Sequence, residues 1–181
     1  MKNTLDLIVQ QKHREISIQK QKINIEDFKK YPLFSQAIRS SKKAIKDPKK
    51  SGIIAEFKRK SPSKGFINEK ADVEKVVSEY EKYGASVVSV LTDEHFFGGN
   101  LKIFAKARSI LNIPILRKDF IVDEYQVYET KAIGADLMLL IAECLTKNEV
   151  YNLAKLAKEI GLEVLLEIHS EDQLDKLNDC I

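Results

Sequence analysis

The sequence has no long apolar run and few cysteines. No stretch approaches the roughly 20 apolar residues that a membrane-spanning helix needs. The opening residues, MKNTLDLIVQQKHREI, contain no apolar segment of the kind found in secretory signals. The only two cysteines are Cys144 and Cys180, and without export signals reduced thiols are the default. We therefore expect a cytoplasmic protein that makes no membrane contact.

Signatures of three common ligand classes are also missing. No G-x-G-x-x-G follows the first apolar run, which counts against a dinucleotide-binding fold. His13, His95 and His169 are scattered and the cysteines lack metal spacing, so we expect no metal site. The net charge of +3 is mild. It suits a small anionic substrate better than a nucleic acid, which usually requires a concentrated basic stripe.

What the sequence does contain is a repeated alternation of short apolar runs and helical patterns. The chain has 181 residues, of which 44% are hydrophobic, enough for one sizeable core. The apolar runs predict strands at 53–57, 87–91, 115–116, 137–141 and 164–168. Residues at helical spacing lie between them, and Gly84, Gly134 and Gly161 stand where those helices should end. Strand and helix in regular alternation predict parallel βα units.

The strands at 87–91 and 137–141 are almost entirely apolar, which indicates that both of their faces are covered. The fold class is therefore α/β, either a doubly wound open sheet or a barrel. Residues 1–47 differ, being rich in Lys and Gln with apolar residues at helical intervals. They predict two or three amphipathic helices, which form either an extension packed on the barrel or a lid over its mouth. Residues 48–181 form the α/β part.

Ionisable residues stand at the ends of three predicted strands. Side chains alternate along a strand, so Glu56 and Lys58 share one face at the end of the first strand. Lys118 ends the third strand, and Glu167 points inward near the end of the fifth. In a barrel these carboxyl ends converge on one mouth, where residues are typically catalytic. A structural ion pair would explain one Glu–Lys couple, but four such groups favour a proton-transfer site for an anionic substrate.

The protonation of such lysines depends on their neighbours. A lysine beside another cation, or partly desolvated, has a lowered pKa and becomes a usable general acid. A neighbouring carboxylate has the opposite effect on the pKa. Both outcomes are open at this point.

Five segments together resemble the indole-3-glycerol-phosphate synthase family. They read IIAEFKRKSPSKG, SVLTDEHFFGG, PILRKDFIVDEYQVYE, GADLMLLIAECL and LEVLLEIHSEDQL. The resemblance extends over the whole chain and implies a (βα)8 TIM barrel with an N-terminal helical extension. It also implies conversion of 1-(2-carboxyphenylamino)-1-deoxyribulose 5-phosphate to indole-3-glycerol phosphate, CO2 and water, in tryptophan biosynthesis, with no cofactor.

The resemblance also implies roles for individual residues. Lys118 is similar to the general acid that protonates the substrate carbonyl oxygen, and Glu167 to the glutamate of the dehydration step, to which Lys58 contributes. Glu56 is similar to a carboxylate that orients the substrate and the lysines. The implied substrate-binding residues are Lys58 and Ser61 near the phosphate and carboxylate, and Phe97, Phe120 and Leu139 around the aromatic ring.

The sequence departs from the family pattern in its number of strands. A complete barrel has eight strands, whereas about five βα units can be counted here. The family's sixth-strand asparagine, seventh-strand Glu-Ser-Gly and eighth-strand Gly-Ser loop, which carry most of its phosphate site, have no counterpart. We therefore expect an N-terminal fragment with little activity alone. A fusion or a complex with other tryptophan-pathway enzymes is possible.

Three other interpretations remain open. Another phosphate-binding barrel, such as phosphoribosylanthranilate isomerase, usually has a cysteine at the end of the first strand, which this chain lacks. KRKSPSK could instead belong to a nucleic-acid-binding or phospho-regulated module. A non-catalytic barrel fragment is the third. Among smaller features, Cys144 is interpreted as inert, Asp119 as an ordinary loop residue, and Asp123 as a helix N-cap.

Overall fold

The chain alternates strands and helices from residue 54 onward, after a helical N-terminal segment. A computed structural model describes residues 4–181. The elements, in chain order, are α1 (Thr4–Lys20), α2 (Ile25–Phe28), α3 (Ser41–Lys46), β1 (Ile54–Phe57), β2 (Lys60–Ser61), β3 (Gly65–Phe66), α4 (Val73–Lys82), β4 (Val87–Leu91), α5 (Leu101–Ile110), β5 (Ile115–Lys118), α6 (Glu124–Ala132), β6 (Leu137–Ile141), a 3-10 helix (Ala142–Cys144), α7 (Lys147–Glu159), β7 (Glu163–Glu167) and a second 3-10 helix (Glu171–Lys176). None of the helices in this range is long and apolar enough to cross a membrane.

Five strands form one parallel sheet in the order β1-β4-β5-β6-β7. A helix follows each of the first four of these strands, as parallel connections require. The five predicted strands are therefore confirmed, although β1 begins one residue later than predicted, β5 extends two residues further, and β7 begins and ends one residue earlier. The short antiparallel hairpin of β2 and β3 was not predicted.

The sheet is covered on both faces, as the apolar runs predicted. Val88, Val90 and Ile115 face α4 and α5 in one cluster of buried residues. The alternate residues Val87 and Leu116 belong to a different cluster, on the inner face of the sheet. β4 and β6 are buried along their whole length because each lies between neighbouring strands and between two packed layers. This two-sided burial is typical of a (βα) barrel.

The glycines that follow α4, α6 and α7 all have positive φ, as the sequence predicted. At Gly134, the close approach of a neighbouring side chain is a second reason why glycine is required. A Cβ atom there would lie 2.7 Å from the side chain of Leu33, so the N-terminal segment packs directly on this turn. A larger residue would strain the backbone and displace that segment.

The N-terminal helices run from one end of the sheet to the other. Ile8 of α1 packs with Phe120 and Ile141 near the carboxyl ends of the strands. At the opposite end, Ser40 and the backbone of Ser41 donate hydrogen bonds to Glu163 of β7 at 2.6 and 2.7 Å. The sequence predicted two or three helices in this segment, and three are present. The domain boundary at residue 47 stays a prediction.

A buried ion cluster attaches α1 to the loops after β4 and β5. The Nζ atom of Lys12 lies 3.0 Å from Asp93 Oδ2 and 2.9 Å from Asp119 Oδ1. Asp119 also pairs with Arg117 at 3.2 Å and accepts a hydrogen bond from Thr92 at 2.6 Å. The interpretation of Asp119 as an ordinary loop residue was wrong, because α1 supplies a buried cation that the local sequence does not reveal. Asp123 caps α6 as predicted.

The electrostatics of this cluster favour its charged forms. Burial opposes the ammonium of Lys12, but the charges of Asp119 and Asp93 outweigh it and raise the pKa of Lys12. Burial likewise opposes the Asp119 carboxylate, but Lys12 and Arg117 lower its pKa. The Asp119 contribution to stability is therefore present at neutral pH and lost as pH falls through its lowered pKa.

Replacing Lys12 with Met should destabilise the protein by about 3–5 kcal/mol, because the buried Asp93 loses its cation and Asp119 keeps only Arg117. Lys20→Met in the same helix is the matched control. Lys20 pairs with Asp123 at 2.8 Å but is 44% exposed, so its loss should cost at most about 1 kcal/mol. Urea denaturation at pH 7 measures both values. Equal, small losses in the two variants would contradict a role of Lys12 as the anchor of α1.

Candidate active site

A cavity of about 290 Å³ lies at the carboxyl ends of the parallel strands. Its lining residues come from α1, β1, β4, β5, β6, β7 and the loops that follow the strands: Leu5, Glu56, Lys58, Leu91, Phe97, Lys118, Asp119, Phe120, Leu139, Ile141, Glu143, Glu167 and His169. All four ionisable residues predicted from the strand ends are among them. The convergence predicted for a barrel mouth is therefore present in the structure.

The four predicted groups form a chain of alternating charge. Lys58 Nζ lies 2.5 Å from Glu56 Oε1, and Glu56 Oε2 lies 3.2 Å from Lys118 Nζ. Lys118 Nζ also lies 3.4 Å from Glu167 Oε2. Each of these side chains is between 29% and 32% exposed, so the chain is partly shielded yet open to a ligand.

The contacts of Lys118 require a strongly curved sheet. Lys118 lies on β5, the central strand, whereas Glu56 and Glu167 lie on β1 and β7, the two edge strands. In a flat sheet the two edges would be about 19 Å apart, at roughly 4.8 Å per strand. A single ammonium reaches both carboxylates because the five strands curl around a common interior. This curvature distinguishes the barrel from the doubly wound sheet, the other fold class that the sequence allowed.

The neighbouring carboxylates determine the protonation of Lys118. Burial opposes the ammonium, but the charges of Glu56 and Glu167 and the hydrogen bonds to them raise the pKa of Lys118 above its ordinary value. Burial also opposes the carboxylate of Glu56, but Lys58 and Lys118 lower its pKa. The sequence left open whether the pKa of this lysine is lowered by desolvation or raised by a neighbouring carboxylate. In the free site it is raised. Lys118 is a protonated donor between two acceptors throughout the neutral range.

The other half of the cavity wall is apolar. The rings of Phe97 and Phe120 lie 5.9 Å apart at a 37° tilt, and Leu139 is fully buried beside them. Leu5 of α1 completes this wall. The N-terminal extension thus packs on the barrel and also contributes a side chain to the cavity. A lid function of this segment stays a prediction. A flat aromatic group fits between such side chains.

The loop after β4 positions Phe97. The backbone N–H of Phe96 donates to Asp93 Oδ1 at 2.8 Å, while Asp93 Oδ2 faces Lys12. Gly99 lies so close to β4 that a Cβ atom would be 2.0 Å from the carbonyl oxygen of Leu91. Glycine is therefore needed there for the loop to fold back over the strand end.

Six lining residues were not predicted as site residues, and two of them, His169 and Glu143, extend the chain of ion pairs. His169 Nε2 lies 3.2 Å from Glu167 Oε1, and His169 Nδ1 lies 3.4 Å from Glu143 Oε2. His169 had been grouped with the scattered histidines. Its position two residues after Glu167 was a usable signal, because side chains two apart point to the same face of a strand. Glu143, in the 3-10 helix after β6, carried no comparable signal.

The six linked side chains are called the charge row below: Lys58, Glu56, Lys118, Glu167, His169 and Glu143.

Ser61 does not belong to the cavity wall. It lies in the β2–β3 hairpin, where its hydroxyl accepts a hydrogen bond from the backbone of Lys64 at 3.2 Å. Its predicted role near a phosphate or carboxylate of the substrate stays a prediction. Two further basic residues of the segment have internal partners, since Arg59 donates to Ala71 O and Lys60 to His95 O. This engagement argues against a free basic patch for nucleic acid.

Within residues 4–181, no three His, Cys, Asp or Glu side chains are arranged to hold a metal ion. Cys144 lies near the charge row but has the electrostatics of an unreactive thiol. Burial, with the nearby charges of Glu143 and Glu167, raises the pKa of Cys144 to about 12.

At pH 8, Cys144 should react with iodoacetamide more than ~100-fold more slowly in the folded protein than in urea, because so little thiolate is present. Mass spectrometry of the alkylated peptides follows its rate separately from that of Cys180. Equal rates for Cys144 in the folded and unfolded protein would contradict the burial and charge environment described for it.

Comparison with known proteins adds independent evidence. The family model described as indole-3-glycerol phosphate synthase matches residues 5–179. Proteins of that name from Bacteroides thetaiotaomicron, Campylobacter fetus and Prochlorococcus marinus are 50%, 46% and 40% identical over 178, 168 and 177 residues. These matches cover 98%, 88% and 97% of this chain and 68%, 65% and 60% of the respective relatives. The chain belongs to the indole-3-glycerol-phosphate synthase family.

Proposed function

We propose that this chain carries the proton-transfer half of an indole-3-glycerol-phosphate synthase site. The reaction closes a ring on 1-(2-carboxyphenylamino)-1-deoxyribulose 5-phosphate and yields indole-3-glycerol phosphate, CO2 and water. The observation that carries the proposal is the position of Lys118, held between Glu56 and Glu167 beside an apolar wall. The family match supports the same reaction.

Ring closure needs an acid next to a hydrophobic surface. An aromatic carbon is a weak nucleophile, so the ketone that it attacks must be activated by a proton donor. Lys118 supplies that proton to the carbonyl oxygen, which becomes a hydroxyl as the new C–C bond forms. Phe97, Phe120 and Leu139 hold the ring. The carboxylate then leaves as neutral CO2, which an apolar wall favours, and its electron pair restores the aromatic ring.

Dehydration needs proton transfer in both directions. The hydroxyl leaves as water after gaining a proton, and the adjacent carbon loses a proton to complete the indole. Glu167 serves these transfers, with Lys58 contributing. Glu56 keeps both lysines oriented through contacts at 2.5 and 3.2 Å. The lysines also neutralise a substrate that carries a carboxylate and a phosphate.

The chain alone should have little turnover. In the described residues the sheet ends at β1 and β7, which do not pair with each other, so strands enclose the cavity on one side only. The phosphate site is proposed to require strands beyond those described, as in barrels generally. A cytoplasmic location and fusion or association with other tryptophan-pathway enzymes are further proposals that follow from family membership.

The direct test joins this chain to the carboxyl-terminal part of the Bacteroides thetaiotaomicron relative that lies beyond the matched region. We expect the fusion protein to form indole-3-glycerol phosphate, followed by the fluorescence of the indole product, and the chain alone to form almost none. A fusion protein that folds, as judged by circular dichroism, but shows no turnover would count against the proposed function.

In the active fusion protein, Lys118→Ala and Glu167→Gln should each lower kcat at least ~100-fold, the usual scale of general acid–base catalysis. Lys106→Ala and Glu159→Gln are matched controls, because both residues are exposed on helices. The controls should retain the parent rate. Near-normal kcat in either site variant would remove the role proposed for that residue.

A further inference from the structure

The two oxygens of Glu167 have different partners. Oε2 faces Lys118 at 3.4 Å, and Oε1 faces His169 Nε2 at 3.2 Å. The second nitrogen of the same imidazole, Nδ1, lies 3.4 Å from Glu143. The imidazole therefore stands between two carboxylates, only one of which touches the lysine of the proposed reaction.

Hydrogen bonds fix the backbone segments that carry His169 and Glu143. The backbone N–H of His169 donates to Gln173 Oε1 at 2.9 Å, which ties the end of β7 to the second 3-10 helix. Lys176, in that helix, donates to the carbonyl oxygens of Ala142 and Leu145 at 2.8 Å each. These bonds join the second 3-10 helix to the first, which carries Glu143.

We propose that His169 relays protons between Glu167 and Glu143. The inference rests on the proposed function, in which Glu167 must change protonation during every turnover. Histidine is the side chain best suited to accept and release a proton near neutral pH. The His169 side chain is 53% exposed and that of Glu143 47%, so the outer part of the relay is open to water, whereas Glu167 is 32% exposed.

The proton balance of the relay is simple. Protonated Glu167 gives the proton on Oε1 to Nε2 of neutral His169, so an O–H bond breaks, an N–H bond forms and a carboxylate remains. The imidazolium then releases its Nδ1 proton to Glu143, which passes it to water. Movement in the opposite direction protonates Glu167 again and restores the first imidazole tautomer. After Glu167 has lost one proton and regained one, the imidazole of His169 is therefore back in its starting tautomer.

Charged groups on the surrounding elements also lie near this bridge. Lys118 of β5 faces the far oxygen of Glu167, and Glu56 of β1 lies beyond it. Cys144, beside Glu143, interacts electrostatically with Glu143, Glu167 and Asp6 of α1. The surroundings of the bridge therefore include two cations, Lys118 and the Lys176 that bonds to the carbonyl oxygens of Ala142 and Leu145, as well as carboxylates.

The first test is NMR of the chain itself, with 15N-labelled histidine and with His169→Gln to assign the signals. Glu143→Gln should move the Nδ1 signal of His169, and Glu167→Gln should move the Nε2 signal. The signals of His95, whose ring packs on Phe96 in the loop after β4, serve as the internal control. If neither nitrogen of His169 responds, the bridge does not exist and the proposal is wrong.

The second test is kinetic and uses the active fusion protein. His169→Gln should lower kcat by about 10-fold or more with little change in KM, because Gln keeps a hydrogen bond but cannot relay a proton. In His169→Ala, added imidazole should restore part of the lost kcat, which a purely structural role would not predict.

The outcomes separate this proposal from the one on which it rests. If Glu167→Gln abolishes turnover but His169→Gln leaves kcat unchanged, the relay is wrong and the proposed function stands. If neither variant loses activity, the catalytic role of Glu167 is wrong as well. A loss in His169→Ala that imidazole does not restore would assign His169 a structural role and overturn the relay.

Discussion

The ion pairs of Lys118 are the interaction on which the rest of the site depends. A lysine on the central strand contacts carboxylates on both edge strands, at 3.2 and 3.4 Å. These contacts are possible only because the sheet curls, and the curl in turn brings the strand ends around one cavity. Separated from its partners, each of these partly buried charges would be costly to keep. The curled sheet thus both defines the cavity and brings Lys118 into contact with its two carboxylates.

A second, fully buried set of charges holds the apolar side of the cavity. Lys12 links α1 to Asp93 and Asp119, and these aspartates lie in the loops that carry Phe97 and Phe120. Helix α1 therefore holds the two loops that carry the aromatic side chains, and its own apolar residue Leu5 completes the apolar wall. The N-terminal extension is in this sense part of the site, although it contributes none of the charge row.

Much of the fold and part of the site could be predicted from the sequence. The all-apolar strands, such as β4 and β6, were predicted with correct bounds because their periodicity is local. Glu56, Lys118 and Glu167 were predicted to converge because strand ends in a barrel must do so. Lys12, His169 and Glu143 were missed as partners, because their significance depends on contacts between segments far apart in the chain. Ser61, assigned by resemblance, lies in a hairpin that periodicity did not predict.

The central claim is that a single ammonium joins both edges of the sheet. A crystal structure of the chain at neutral pH, at a resolution that defines carboxylate oxygens, tests it most directly. The account predicts that Lys118 Nζ lies within hydrogen-bonding or ion-pair distance of both Glu56 and Glu167, at about the 3.2 and 3.4 Å found here. A flatter sheet, with Lys118 in contact with only one of the two carboxylates or with neither, would contradict it.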